Sequence, residues 1–381
     1  MIEKVKTEFR KRFGGDPALY SSPGRINLIG EHTDYNLGFV LPGAIDKAIY
    51  VAIRPNGAVN ARLYSIDYDT ELSVSLDGEK PSQQWARYVF GVVQEMRKRG
   101  ATVEGFDCAF GGDVPLGAGL SSSAALESAF GYALNDLFGT GFSRAELAEI
   151  GQMTEHNYID LKCGIMDQFA SLFGRKGEVI KLDCRSLQYE MVPFDPKGYK
   201  VVLVDSMVKH TLAATEYNVR REQCGEGVSV VARHEEGVES LRDVTMEMLD
   251  KYKSEMEPVV YKRCAFVINE NKRLLDGCEA LKKDDYRFFG RMMYGSHDGL
   301  SKEYEVSCAE LDFIVEVARR HESVVGARMM GGGFGGCVIH LIEEADYENY
   351  LADVKLRFNE RFKMVPRIID VVIGDGAHKI E

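Results

Sequence analysis

The sequence has 381 residues, of which 45% are hydrophobic and 28% charged, and its net charge is −12. This length exceeds the size at which one hydrophobic core usually stops growing, so we expect two domains. The negative charge argues against electrostatic capture of nucleic acid or of an anionic membrane surface, so any phosphate must be bound by local groups.

The eight cysteines form no CxxC pair, and the N-terminal segment "MIEKVKTEFRKRFGG" carries charges throughout. Such a segment lacks the apolar centre of a signal peptide, and no apolar run in the sequence approaches membrane length. We therefore expect an unprocessed cytoplasmic protein with reduced thiols, acting as a monomer on small molecules.

In chain order, the hydrophobic pattern predicts an N-terminal helix and then strands at "GRINLI", "AIYVAI" and "EGFDCAF". Helices follow at "SSSAALESAFGYALNDLF", "SRAELAEIGQMTEHNYI" and "GIMDQFASLF", and strands at "EVIKLD" and "YKVVLVD". Helical periods then cover residues 213–224, 258–281 and 309–321, and the helix "DYENYLADVKLRFNERF" lies between strands "CVIHLI" and "RIIDVVI". This irregular alternation predicts an α+β fold, with domains 1–192 and 193–381 meeting near "VPFDPKG".

Polar residues interrupt two apolar runs in the segment "SSPGRINLIGEHTDYNLGFVLPGAID", residues 21–46. They are Arg25, Asn27, Glu31, His32, Asp34 and Asn36. A hydrogen-bonded turn is one explanation for His32 and Asn36, since asparagine and aspartate favour turns, and for Asn36 we prefer it.

Two glycine-rich stretches compete as the phosphate-binding loop. The first, "GGDVPLGAGLSSSAALESAFGYAL", has a loop formed by Gly117, Ala118, Gly119, Leu120, Ser121, Ser122 and Ser123 before a predicted helix. A glycine-rich loop that enters a helix N-terminus presents free N–H groups to an anion, so we favour phosphate binding here. The alternative is that Ser121 only caps the helix.

The second stretch, "MMGGGFGGCVIHLI", contains GxGxxG at Gly331, Gly333 and Gly336. A dinucleotide fingerprint needs a helix after it, whereas "CVIHLI" is strand-like, so that interpretation fails. Two alternatives stay open with equal weight: a turn that approaches a ligand, or a tight backbone crossing between domains.

Acidic groups supply candidates for phosphoryl transfer. Asp167 falls in the first turn of a short helix, after Gly164, where the helix dipole stabilises a carboxylate. Glu155 ends the preceding helix, an unfavourable place for an acid unless a cation such as Mg²⁺ compensates. Phosphoryl transfer needs a metal ion, a phosphate loop, a cation and a carboxylate that positions the acceptor, and Glu155, the 117–123 loop, Arg25 and Asp167 provide them.

These segments resemble the signature segments of the galactokinases, a branch of the GHMP small-molecule kinase family, in the family's own order. The matching segments are "GRINLIGEHTDYNLGFVLPGAID", "PLGAGLSSSAALE", "CGIMDQFASLFG", "TEYNVRREQC" and "MMGGGFGGCVIHLI". The resemblance implies an N-terminal domain like ribosomal protein S5, a ferredoxin-like C-terminal domain and an active site between them.

By motif position, the resemblance implies a role for each of several residues. Arg25 and Asp167 are the expected catalytic pair. The expected sugar ligands are Glu31, His32, Asp34, Gly164 and Tyr217. The expected Mg²⁺ ligands are Ser122 and Glu155. The ATP phosphates are expected to be wrapped by residues 117–123, and adenine is expected to lie beside Trp85 and Tyr88.

The implied reaction is transfer of the ATP γ-phosphoryl group to the anomeric hydroxyl of D-galactose, giving galactose 1-phosphate and ADP. Several fixed polar groups suit this substrate, because selecting one epimer requires matched partners for its hydroxyls. The turn that contains Asp160 and Lys162 departs from the small residues usual in the family. Two alternatives are a GHMP kinase for another sugar, such as N-acetylgalactosamine, and a catalytically weak sensor of sugar and ATP.

Overall fold

The computed structural model describes residues 1–208 and 213–380. Its eleven helices in this part of the chain are α1 (Ile2–Phe13), α2 (Gln84–Lys98), α3 (Ser122–Phe138), α4 (Arg144–Thr154), α5 (Met166–Phe173), α6 (Ala213–Ala232), α7 (Met246–Lys251), α8 (Pro258–Leu281), α9 (Tyr286–Lys302), α10 (Ala309–Ala318) and α11 (Tyr347–Phe362). None of the helices within these ranges has the length and apolar character needed to cross a membrane.

The strands are β1 (Ala18–Asn27), β2 (Phe39–Val40), β3 (Pro42–Pro55), β4 (Asn60–Ser65), β5 (Thr70–Ser75), β6 (Phe106–Gly112), β7 (Glu178–Asp183), β8 (Tyr189–Pro193), β9 (Tyr199–Asp205), β10 (Val324–Met329), β11 (Cys337–Glu343), β12 (Arg367–Asp370) and β13 (His378–Lys379). They form sheets in the orders β13-β1-β3-β6-β4-β5, β10-β11-β9-β12 and β2-β7-β8. The predicted α+β class is confirmed, and every strand predicted from the pattern overlaps an observed one.

Two hydrophobic cores meet at the four-stranded sheet. Successive residues of β9 alternate between them: Leu203 belongs to the core of the first sheet, while Val202 and Val204 belong to the second core. This alternation follows from the two-residue period of a strand, and it explains the nearly continuous apolar run of "YKVVLVD". The four-stranded sheet is therefore covered on both faces.

The predicted domain boundary at residue 193 falls at the last residue of β8. The next strand along the chain, β9, belongs to the four-stranded sheet. The last strand, β13, returns to the six-stranded sheet, where it pairs with β1. The division into 1–192 and 193–381 stays a prediction.

Helix α9 was not predicted, because three glycines in "YRFFGRMMYGSHDGLSK" lower its helix propensity. Packing against β10 explains why one of these three residues, Gly290, is a glycine. A Cβ atom on Gly290 would overlap the backbone of Val325 in β10, and one on Gly326 would lie 2.6 Å from Gly290 Cα. The helix therefore lies closer to the sheet than any side chain would allow.

Candidate active site

A cavity of about 230 Å³ brings together residues from both halves of the sequence. Its lining comprises Arg25, Glu31, His32, Asp34, Leu161, Cys163, Gly164, Met166, Asp167, Tyr217, Gly331 and Gly332. These residues come from β1 and the loop after it, from the segment around the start of α5, from α6 and from the turn after β10. All seven residues predicted as catalytic or sugar-binding lie in this one lining.

Arg25 and Asp167 form a direct ion pair in the cavity. Arg25 Nε donates to Asp167 Oδ1 at 2.9 Å, and its Nη1 donates to the carbonyl of Gly119 at 2.5 Å. The hydroxyl of Ser121 donates to the other carboxylate oxygen of Asp167. The predicted catalytic pair is thus tied directly to the glycine-serine loop.

Ser121 does not act as the helix cap that was the alternative interpretation. It precedes α3 with a φ of +55°, and its side chain makes no capping hydrogen bond to the helix backbone. This left-handed conformation points its hydroxyl to Asp167 instead. Gly117 and Gly119 also have positive φ, 75° each, so the loop needs glycine at these positions.

Glu31 is held by a residue that the sequence interpretation missed. Its Oε1 accepts from Arg328 Nη2 at 2.8 Å and from the backbone N–H of Gly331 at 2.9 Å. Arg328 is fully buried and also donates to the carbonyls of Asn27 and Leu28. The signal available in the sequence was an isolated arginine within the apolar run "VVGARMM".

His32 lies buried in a turn with a φ of +62°. Its Nδ1 is 2.8 Å from Tyr35 Oη, and the side chain of Asn36 donates to its carbonyl at 2.9 Å, as the turn interpretation of Asn36 expects. Burial lowers the pKa of His32 to about 3, so the ring is neutral at physiological pH. Its Nε2 is buried with no hydrogen-bond partner among the described residues.

Asp34 is a buried carboxylate that takes part in no ion pair within the described ranges. Burial, and then the nearby charge of Asp167, raise its pKa to about 7. Gly164 lies against it so closely that a Cβ atom there would overlap the carboxylate. Tyr217, on α6, is one of the aromatic neighbours of His32, with ring centroids 5.2 Å apart.

The position of the second glycine-rich stretch is compatible with both of its open interpretations. Gly331 and Gly332 line the cavity. The same stretch also crosses the first loop closely, since a Cβ atom on Gly119 would lie 3.3 Å from the carbonyl of Met330 and one on Gly336 would lie 3.7 Å from Ala118. The strand after it, β11, confirms that it is not a dinucleotide fingerprint.

Glu155 occupies the π-helical turn Glu155–Ile159 that directly follows α4. Burial raises its pKa to about 7, and a hydrogen bond from Ser123 opposes the rise. Its Oε2 is buried without a partner in the part of the chain that the structure describes. An orphaned carboxylate oxygen on an acid that also contacts a serine hydroxyl suits a hard cation such as Mg²⁺.

Two details at this acid were not part of the sequence interpretation. Ser123, the neighbour of the expected metal ligand Ser122, hydrogen-bonds Glu155, and Ser122 is the first residue of α3. Glu127, which the sequence interpretation did not single out, is buried nearby: its Oε2 accepts from Gln168 at 3.0 Å, and burial followed by the charge of Glu155 raises its pKa. No three His, Cys, Asp or Glu side chains of the described residues form a metal cluster.

Trp85 and Tyr88 lie on α2. Trp85 is buried and stacks on Tyr68, with ring centroids 6.5 Å apart and an interplanar angle of 15°. Burial and the charge of Glu155 raise the pKa of Tyr88. Tyr88 is therefore near the acids behind the loop, while Trp85 also packs in the core.

In the turn before α5, the two side chains that depart from the family pattern, Asp160 and Lys162, do not line the cavity. Asp160 ends the π-helical turn in the left-handed conformation, with a φ of +64°, which is the kind of position where glycine is usual. Lys162 reaches the carbonyl of His156 at 3.2 Å, and the cavity is lined by its neighbours Leu161 and Cys163.

Comparison with known proteins matches three family models along the chain. The galactokinase galactose-binding signature covers residues 7–55, the GHMP kinase N-terminal domain residues 87–175 and the GHMP kinase C-terminal domain residues 279–363. A galactokinase of Thermotoga neapolitana is 40% identical over 361 residues, which is 94% of this chain and 99% of the relative. A galactokinase of Roseiflexus sp. (strain RS-1) is 38% identical over 379 residues, which is 99% of this chain and 97% of the relative.

Among solved structures, Lactococcus lactis galactokinase complexed with galactose superimposes with a TM-score of 0.95 at 33% identity, covering 98% of both chains. A mevalonate kinase matches with a TM-score of 0.67 at 20% identity, covering 94% of this chain and 99% of its own, which supports the shared fold alone. The fold, the order of the signature segments and the full-length identity agree, and the chain belongs to the galactokinase family of GHMP kinases.

Proposed function

We propose that this chain transfers the γ-phosphoryl group of ATP to the anomeric hydroxyl of D-galactose, giving galactose 1-phosphate and ADP. The observation that carries this proposal is the Arg25–Asp167 ion pair, which lines the cavity and is bonded to the glycine-serine loop. An acceptor hydroxyl in the cavity and phosphates on the loop would meet at this pair.

Asp167 orients the anomeric hydroxyl and accepts its proton as phosphoryl transfer proceeds. A loose transition state demands little activation of the nucleophile, so correct placement of the hydroxyl matters more than base strength. Arg25 fixes one oxygen of this carboxylate and offsets the charge on the transferring group. Ser121 fixes the other oxygen, so the carboxylate plane has little freedom to turn.

The residues that bind the sugar hydroxyls are Glu31, His32 and Asp34, and the pocket is also lined by Gly164 and Tyr217. The buried Nε2 of His32 and the buried carboxylate of Asp34 need partners, and sugar hydroxyls supply both a donor and an acceptor. An epimer that withholds one of these hydrogen bonds leaves a buried group unpaired and is rejected.

For the nucleotide, residues 117–123 wrap the ATP phosphates, and Trp85 and Tyr88 lie on the adenine side. Ser122 and Glu155 would hold Mg²⁺, which when bound offsets the charge of the ATP phosphates. The orphaned Oε2 of Glu155 supports this assignment. We further propose a cytoplasmic monomer built from domains 1–192 and 193–381; light scattering after size exclusion tests the oligomeric state.

The test is ADP release from Mg·ATP by the purified protein with galactose, glucose, 2-deoxygalactose, N-acetylgalactosamine or no sugar. Strong dependence on galactose with little response to glucose is the expected result. Release with another acceptor alone would reassign the sugar pocket while keeping the catalytic pair. Binding of sugar and ATP without ADP release would favour the sensor.

A further inference from the structure

The side chain of Arg328 joins the strand before the second glycine-rich stretch to the segment that carries the predicted sugar ligands. Arg328 lies on β10, is fully buried and is not among the residues that line the cavity. Its Nε donates to the carbonyl of Leu28 at 2.8 Å, and its Nη1 donates to that of Met329 at 3.0 Å. Its Nη2 makes two bonds, to the carbonyl of Asn27 at 2.7 Å and to Glu31 Oε1 at 2.8 Å. Main-chain carbonyls therefore fix the guanidinium plane, and the carboxylate is aligned on it.

The two oxygens of the Glu31 carboxylate have different surroundings. Oε1 accepts from Arg328 and also from the backbone N–H of Gly331 at 2.9 Å. Oε2 accepts no hydrogen bond within the described ranges, and it is absent from the fully enclosed polar atoms there, while Glu31 lines the cavity. Both partners of Oε1 can only donate, since an arginine in a protein keeps its protons, so the arrangement has a single direction. Oε1 is thus committed to the protein, and Oε2 is the oxygen left for a ligand.

The main chain around this carboxylate is held independently by α8. Glu270 Oε1 accepts from the backbone N–H of Gly30 at 3.0 Å, and Asn271 Oδ1 accepts from that of Phe39 at 2.8 Å. Both side chains are buried, and neither lines the cavity. These two bonds anchor the segment on either side of the carboxylate. Replacement of Arg328 should therefore release the carboxylate while the main chain keeps its course.

We propose that Arg328 is a positioning residue for sugar recognition: with the N–H of Gly331 it fixes Oε1 of Glu31, so that Oε2 accepts a hydrogen bond from a sugar hydroxyl. This inference rests on the proposed function, since it names what Glu31 offers to galactose. A carboxylate paired with an arginine is an acceptor only, so the sugar must donate at that position. A sugar whose hydroxyl there is replaced by hydrogen or by an ether is bound poorly.

Arg328→Lys is the informative variant. Lysine keeps the positive charge, but its ammonium donates from a single point and does not reproduce the planar fork that joins the carbonyls to the carboxylate. The variant therefore removes the alignment without leaving a buried carboxylate uncompensated. Arg263→Lys is the matched control. Arg263 is also a buried arginine, its Nη2 pairs with Glu305 at 2.6 Å, and neither of these residues lines the cavity.

The experiment measures steady-state kinetics of the full-length wild type, Arg328→Lys, Glu31→Ala and the double variant. Arg328→Lys should raise the KM for galactose about tenfold to 100-fold, as loss of a hydrogen bond to a charged group implies, with kcat and the KM for ATP near their wild-type values. In the Glu31→Ala background the same substitution should change the KM for galactose less than about twofold, since no carboxylate remains to be positioned. Arg263→Lys should lower the Tm and leave both KM values unchanged.

An unchanged KM for galactose in a folded Arg328→Lys protein, or an equal rise in both backgrounds, would overturn the proposal. If Arg328→Lys does not fold, a crystal structure of the wild type with galactose alone carries the test. Oε1 of Glu31 should stay on Arg328 with Oε2 within hydrogen-bond distance of a sugar hydroxyl, and a carboxylate turned away from either partner would overturn the proposal. Absence of galactose phosphorylation by the wild type would instead refute the proposed function, and the same four proteins are then compared by calorimetric titration with the sugar that binds.

Discussion

Substitution of Gly164 by alanine tests whether Asp34 binds the sugar. A Cβ atom at this position would overlap the Asp34 carboxylate and would lie 2.7 Å from Asp34 Cβ, where ordinary contacts begin at 3.4 Å. Asp34 must therefore retreat by about 0.7 Å at its Cβ and by more at its carboxylate. The clashing atoms belong to a side chain, so the fold should survive while the carboxylate loses its place.

The displacement should remove a hydrogen bond between a charged group and the sugar, worth about 1.5–3 kcal/mol. We expect kcat/KM for galactose to fall about 10- to 100-fold, mainly through KM, while the KM for ATP stays near its wild-type value. Steady-state kinetics with each substrate varied in turn, and calorimetric titration with galactose, measure these quantities.

A matched control is Gly225→Ala. Gly225 is exposed within α6 and has nothing within 4 Å of a built Cβ, so alanine there should leave the kinetics unchanged and raise stability by about 0.5–1 kcal/mol. A wild-type KM for galactose in a well-folded Gly164→Ala protein would refute both the close contact and the sugar-binding role of Asp34.

Three further predictions concern the charged groups. Asp167→Asn and Arg25→Ala should each lower kcat at least about 10³-fold while nucleotide titration shows retained ATP binding, and near-normal turnover would remove the altered residue from the mechanism. Glu155→Gln should raise the Mg²⁺ concentration needed for half-maximal rate at least about tenfold, and an unchanged requirement would contradict its assignment. The pKa of Asp34 is raised to about 7, so the KM for galactose should fall as pH rises through about 7, and a flat profile would refute this. Because that folded-state pKa exceeds the unfolded value of 3.8, the contribution of Asp34 to stability declines as pH rises from the unfolded pKa to the folded pKa of about 7. Asp34→Asn should therefore raise the Tm of the sugar-free protein at about pH 8, and a lower Tm would contradict this.

The sequence predicted which residues line the cavity where those residues are neighbours in the chain. Glu31, His32 and Asp34 lie within one short segment, and Asp167 lies in the first turn of a short helix. Local hydrogen bonding and the helix dipole act over a few residues, so their signals are visible without the fold. The same holds for the glycine-serine loop, whose positive φ angles need residues that tolerate them.

Residues that act through tertiary contacts left little or no signal. Arg328 reaches Glu31 only because β10 is placed beside the end of β1. Helix α9 was missed for a related reason, since the glycine that weakens its local preference is required by its approach to β10. Which serine faces Glu155 is also set by how α3 and α4 pack, and not by their sequences alone.

We propose that the arrangement of charge in the cavity underlies discrimination between sugars. Glu31 is paired with Arg328 at 2.8 Å and Asp167 with Arg25 at 2.9 Å, whereas Asp34 has no ion-pair partner in the described part of the chain. A buried carboxylate without a cation gains most from hydroxyl donors, and a protein that lacks them must protonate it or leave it unsatisfied. The raised pKa of Asp34 is the sign of this deficit in the sugar-free protein. If Asp34 binds the sugar as proposed, a sugar with hydroxyls placed for Asp34 removes the deficit and an epimer does not, so Asp34 would contribute to the selectivity of the pocket.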